Sequence, residues 1–182
     1  MKFRTNISVL DQYSSSNISK IALSLLGIIL LSVSSKVQIP FYPVPMTLQT
    51  FVVYFIAATM GMVGFYSTLS YFTLGLVGLP LFAKGGGFWY VMDPAFGYLV
   101  GMVFASFVIA LLSKNLFEKK ILKISMAVLI GTFITFAFGI VHLSMLFDFK
   151  IAIANGLVPF VYSEILKIAL SIFLVYVLIK KN

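Results

Sequence analysis

Glu164 and Lys167 carry opposite charges three positions apart in one of the most apolar stretches of the chain. They stand near the start of a run from Pro159 to Ile179 that is closed by Lys180 and Lys181. A run of this kind crosses a bilayer as a helix, for which about 20 residues suffice. On a helix, positions i and i+3 share a face, so the acid and the base point the same way. A charged side chain at mid-membrane costs about 2.5–3.5 kcal/mol even on lenient insertion scales, so that face turns away from lipid. Two readings follow. The pair is a structural ion pair or snorkels near the helix start, or it is a site for a polar ligand, since ionisable groups within spans are functional candidates. As a site it offers an anion to accept from N–H groups and a cation to donate to an oxygen, both as charge-assisted bonds.

Two loops carry the other unusual chemistry. In Leu79-Pro80-Leu81-Phe82-Ala83-Lys84-Gly85-Gly86-Gly87-Phe88-Trp89-Tyr90-Val91-Met92-Asp93-Pro94, three adjacent glycines permit unusual backbone geometry and expose their N–H groups to a ligand. A glycine run alone also suits a flexible connector. The aromatic flanks Phe82, Phe88, Trp89 and Tyr90 argue against that, though part of them also suits an interfacial aromatic belt. Asp93 is placed to cap the next helix, with Pro94 in its first turn. The other loop, Val37 to Thr50, has Pro40, Pro43 and Pro45 within six residues, which no helix can continue through. It reads as a stiff extended segment, with Thr47 suited to cap the following helix.

The elements that must position these residues are membrane helices. The 182 residues are 61% hydrophobic and 10% charged, with a mean hydropathy of +1.10, a composition for an integral membrane protein. Strand-type alternation is absent, so the expected fold class is all-α, with a single membrane domain of six transmembrane helices. These are placed at 18–36, 46–63, 65–82, 94–113, 121–146 and 157–179, after a polar tail at 1–17. Ser32-Val33-Ser34 resembles a cleavage site, but the polar region and apolar stretch are too long for a signal peptide. Gly97, Gly101 and Ala105 give the fourth helix a small-residue packing face. The only histidine, His142, reads as packing on a helix end rather than as a ligand.

The net charge of +8 does not call for nucleic acid. Lys2, Arg4 and Lys20, then Lys114, Lys119, Lys120 and Lys123, and finally Lys180 and Lys181 gather at the ends of apolar runs. Six spans put all three groups on one side, which is cytoplasmic by the positive-inside rule, together with both termini. The proline loop, the glycine loop and the Glu164 end of the last helix then meet on the external side. There are no cysteines and no protease, nucleophile-elbow or P-loop motif, so neither an enzyme nor a self-powered ATPase is indicated. One anion, one cation, glycine amides and aromatic walls suit a small amphipathic solute.

Ile39-Pro40, Pro43-Val44-Pro45-Met46-Thr47-Leu48-Gln49-Thr50, Gly78-Leu79-Pro80-Leu81-Phe82-Ala83 with Gly85-Gly86, Gly97-Tyr98-Leu99 with Gly101, and Pro159-Phe160 with Glu164 and Lys167 together resemble the BioY family. Its members are biotin-specific S components of energy-coupling factor (ECF) transporters. The resemblance implies a six-helix, multi-pass protein of a bacterial cell membrane that binds biotin on its external side. It implies a transmembrane coupling subunit and ATPase subunits as partners, with biotin as cargo and no cofactor. On this resemblance the substrate-binding set is Glu164, Lys167, Gly85, Gly86, Gly87, Phe82, Trp89, Asp93, Thr47, Gln49 and Tyr98. Glu164 would accept from ureido N–H groups and Lys167 would donate to an oxygen. The glycine amides would take remaining acceptors, and Trp89 or Phe82 would cover the ring. The family usually has aspartate at Glu164 and Gly-Pro at Asp93-Pro94. Its Ala-xxx-Ala face on the first helix, which meets the coupling subunit, is reduced here to the small residues Ala22, Ser24 and Gly27.

Overall fold

The computed structural model describes residues 16–113 and 120–181; most of the polar tail and the lysine turn at 114–119 lie outside them. The described chain is helical: α1 (Asn17–Lys36), α2 (Gln49–Met60), α3 (Met62–Val77), α4 (Phe96–Leu112), α5 (Lys120–Leu146), α6 (Phe149–Gly156) and α7 (Phe160–Lys181). Among the described residues, Asn17–Lys36, Ile121–Leu146 and Phe160–Leu178 are long and apolar enough to cross a membrane. The helices α2, α3 and α4 are shorter. With 12 residues, α2 rises about 18 Å at 1.5 Å per residue.

Several boundaries differ from the sequence expectation, each for a local reason. The proline segment is not simply extended. It folds back as a two-stranded antiparallel ribbon, β1 (Gln38–Ile39) and β2 (Met46–Thr47), with Gln38 opposite Thr47 and Ile39 opposite Met46. Thr47 therefore lies in a strand, and α2 begins at Gln49, whose N–H Thr47 Oγ1 accepts at 3.4 Å. The break between the second and third helices, expected at 63–65, falls at Gly61 alone, at φ +58°. Gly64 instead belongs to α3, where a Cβ would come within 2.3 Å of the Ile56 carbonyl oxygen, so the two helices touch backbone to backbone. α3 stops at Val77 because Gly78 takes φ +126°. The connection after α5 holds a further helix, α6, capped by Asp148 Oδ1 accepting from the Lys150 N–H at 2.8 Å.

The expected small-residue face on α4 packs on α5. Cβ atoms on Gly97 and Gly101 would meet His142 and the Thr135 backbone, so only glycine allows this approach. Several buried hydroxyls bond within their own helices, as where Ser67 donates to Val63 O and Thr135 to Gly131 O. This satisfies those hydroxyls without water and leaves the apolar surfaces around them free to pack.

The expected coupling face on α1 needs correction. Gly27 is buried, and a Cβ there would lie 2.5 Å from Ser67 Oγ on α3. Gly27 is thus an internal packing position, whereas Ala22 is exposed.

Candidate functional site

The ribbon, the loop between α3 and α4, α6 and the start of α7 gather at one end of the helix bundle. Lys84 Nζ donates to Asp93 Oδ2 at 3.2 Å and reaches Pro43 O at 3.5 Å, tying the two loops together. Ser35 Oγ and Tyr71 OH both donate to Leu81 O, and Lys36 Nζ donates to Phe82 O. Tyr98 OH donates to Gly156 O at 2.8 Å, and His142 Nε2 bonds to Asp93 O at 3.2 Å.

Beneath these loops lies a cavity of about 40 Å³. Val44, Pro45, Ala83, Tyr90 and Ala95 form its roof. Leu99, Met102, Tyr98, Phe136 and Phe160 line its apolar walls, and Thr47, Gln49, Thr50, Glu164 and Lys167 its polar part. Small-molecule sites usually measure about 300–1,000 Å³, so a ligand must part these walls to enter. Tyr98 stacks on Phe160 at 6.3 Å and meets Phe136 edge-on at 5.7 Å, forming an aromatic wall. Burial, with the Asp93 carboxylate adding to it, pushes the Tyr90 phenol upward, so it stays neutral in the roof.

The charged pair of the sequence reading lines this cavity. Lys167 Nζ donates to Glu164 Oε1 at 2.6 Å, and both side chains are nearly buried. Thr50 Oγ1, on α2, donates to the same Oε1 at 2.8 Å and accepts from Lys167 Nζ at 3.3 Å. The other oxygen, Glu164 Oε2, is buried and has no hydrogen-bond partner among the described residues. A buried carboxylate oxygen left without a donor is costly. It is a ready acceptor for an N–H group brought in by a ligand.

The remaining sequence candidates divide. Thr47, Gln49 and Tyr98 line the cavity with Glu164 and Lys167, although the Tyr98 hydroxyl is already used by Gly156. Phe82 does not line it: fully buried among Tyr71, Phe72 and Tyr90, its ring holds the base of the loop. Trp89 points outward and is exposed. Gly85 and Gly87 supply the backbone geometry at φ +129° and +105°. Their N–H groups are engaged by Phe82 O and Gly75 O, which corrects the reading of them as amides open to a ligand. Gly86 is required by close approach, since a Cβ would meet Leu79 O. Asp93 does not cap α4, which starts two residues later than expected with Ala95 at its N-cap; its Oδ1 accepts from the Ala95 N–H at 2.8 Å, and its Oδ2 pairs with Lys84 outside the cavity.

Sequence reasoning missed Thr50, Phe136, Phe160 and Tyr90 as site residues. Thr50 and Phe160 stand inside motifs singled out in the sequence, so their signal was available. Phe136 lies in a long uncharged run among other phenylalanines and had none.

Comparison with known proteins settles the kinship. Residues 7–181 match the BioY family profile. The chain belongs to the BioY family. This BioY-family chain is 34% identical over 145 residues to the biotin transporter BioY of Thermotoga maritima, covering 78% of this chain and 85% of that one. It is 37% identical over 115 residues to the probable biotin transporter BioY of Lysinibacillus sphaericus, an alignment spanning 63% of this chain and 59% of that protein. The crystal structure of the S-component for biotin from an ECF-type ABC transporter shares its fold, with a TM-score of 0.81 at 22% identity. That match covers 93% of this chain and 96% of the other.

Proposed function

We propose that this chain is the biotin-binding membrane subunit of an ECF-type uptake system, taking biotin from the external side into the cavity under the two loops. The observation that carries the reading is the buried polar end of that cavity. Glu164 Oε1 is held by Lys167 and Thr50, and Oε2 is left without a donor. Biotin's ureido group brings N–H donors and a carbonyl acceptor, which match Oε2 and the Lys167 ammonium as charge-assisted bonds. Its apolar ring and chain suit the walls formed by Tyr98, Phe136, Phe160 and Met102. The names of the relatives point to the same cargo.

In this reading α1 to α5 and α7 are six spans of a multi-pass protein in a bacterial cell membrane, and α6 lies at the external surface. Both termini are cytoplasmic, on the same side as the lysine-rich segment, a placement that the distribution of basic residues supports. Neither catalysis nor a cofactor is invoked. Energy comes from a separate coupling subunit and ATPases, because the sequence carries no nucleotide-binding motif. The test is direct binding of labelled biotin to the purified chain in detergent, with desthiobiotin, thiamine and riboflavin as competitors. Saturable binding displaced by desthiobiotin but not by the two vitamins is expected. No saturable binding, or displacement by thiamine or riboflavin, sinks the assignment.

A further inference from the structure

The short 3-10 turn Phe88–Met92, between Gly87 and Asp93, is apolar along its whole length. Its Phe88, Trp89 and Met92 side chains leave the protein, 75%, 86% and 71% exposed, while Tyr90 turns inward and forms part of the cavity roof. Leaving such side chains in water forfeits about 1.5–3 kcal/mol each relative to burial. Val77 and Leu79, at the same end of α3, are exposed too. The Gly87 N–H bond to Gly75 O, at 2.7 Å, fastens the turn beside them. The patch is therefore continuous with the outward surface of a membrane helix. No charge interrupts it from Gly85 to Met92, and the flanking Lys84 and Asp93 neutralise each other. An indole, with one N–H on an apolar body, suits the boundary between headgroups and acyl chains.

We propose that the turn Phe88–Met92 is anchored in the external interface of the bilayer, and that lipid there holds the roof residue Tyr90 over the cavity. The assignment rests on the functional reading only for which end is external and for biotin as the probe.

Trp89 is the single tryptophan of the chain, so its fluorescence reports this turn alone. In nanodiscs, lipids brominated high on the acyl chain should quench Trp89 by about twofold or more, and aqueous iodide should quench it weakly. Equal emission in brominated and plain lipids, with strong iodide quenching, overturns the anchor. This arm needs no ligand, so it stands or falls apart from the biotin assignment. The second arm measures labelled biotin binding to a Phe88→Ser, Trp89→Ser variant, whose changed residues are exposed and outside the cavity. Affinity should fall about threefold or more in nanodiscs while staying near wild type in detergent. Unchanged affinity in nanodiscs overturns the hold on the roof. If wild type binds no biotin, the functional reading fails while the quenching result still decides the anchor.

Discussion

Lys167 Nζ lies 2.6 Å from Glu164 Oε1, and Glu164 Oε2, sealed from solvent, meets no partner among the described residues. The pair is thus half satisfied on the protein side. Thr50 and Lys167 both crowd one oxygen, so the carboxylate is held with its second oxygen available. A purely structural ion pair gains nothing from that asymmetry, whereas a site for an N–H donor needs it.

Lys167→Ala should abolish tight biotin binding, by about a hundredfold or more, because removing one member of a buried pair costs about 3–5 kcal/mol. Part of that loss falls on stability. A Glu164→Gln, Lys167→Met double variant, with no stranded charge, should recover thermal stability but not binding. Binding within about threefold of wild type in Lys167→Ala would make the pair structural. Glu164→Asp should be mild, since it keeps the carboxylate and the resemblance drawn from the sequence implies aspartate at this position.

Thr50 should act by positioning Glu164. Thr50→Val removes the donor to Oε1 and should weaken biotin binding about tenfold, as expected for one hydrogen bond to a charged group. Thr50→Ser keeps the hydroxyl and should stay within about threefold of wild type. Equal losses in both variants, tracking the loss of a methyl group, would show packing rather than orientation.

The Lys84–Asp93 pair, with Lys84 also reaching Pro43 O, should latch the two loops over the cavity. Lys84→Met should raise hydrogen exchange across 83–95 and speed biotin release up to about fivefold, the range of a partly exposed ion pair. Added salt should do the same to wild type and little to the variant. Asp93→Asn separates two roles, because an amide oxygen can still accept from the Ala95 N–H while the ion pair is lost. Unchanged exchange and release in Lys84→Met would place the latch elsewhere.

The charged pair, the packing face Gly97–Gly101 and the convergence of the two loops at one end were legible in the sequence. Each follows from a local rule: one helix face for i and i+3, small residues at close crossings, and loops that alternate sides. What was not legible depended on long-range folding. Nothing in Val37–Thr47 announces that the proline segment pairs with itself. Phe82 and Trp89 look alike as loop aromatics, yet Phe82 is sealed under Tyr71 while Trp89 faces out. The glycine amides looked open because sequence does not reveal that Phe82 O and Gly75 O already occupy two of them. The inward turn of Gly27 depends on where Ser67 of α3 falls.

Energy coupling gives the last prediction, and the structure moves the residue that tests it. Accumulating a scarce vitamin above its external level needs an input of free energy, and the chain has no nucleotide-binding motif. Uphill biotin uptake should therefore require a co-expressed coupling subunit and ATPases. Gly27→Leu is a poor probe of that docking, since its new side chain would collide with Ser67 on α3 and should lower stability and biotin affinity together. Ala22 is exposed on α1, beside the exposed Ile18, Ile21, Leu25 and Ile29. Enlarging it disturbs no internal packing but blocks close approach by another helix. Ala22→Leu should therefore cut uptake in cells while biotin affinity in detergent stays normal. Full uptake by this variant would move the docking face off this part of α1. Accumulation against a gradient in cells lacking every such ATPase would show that the subunit draws on another energy source.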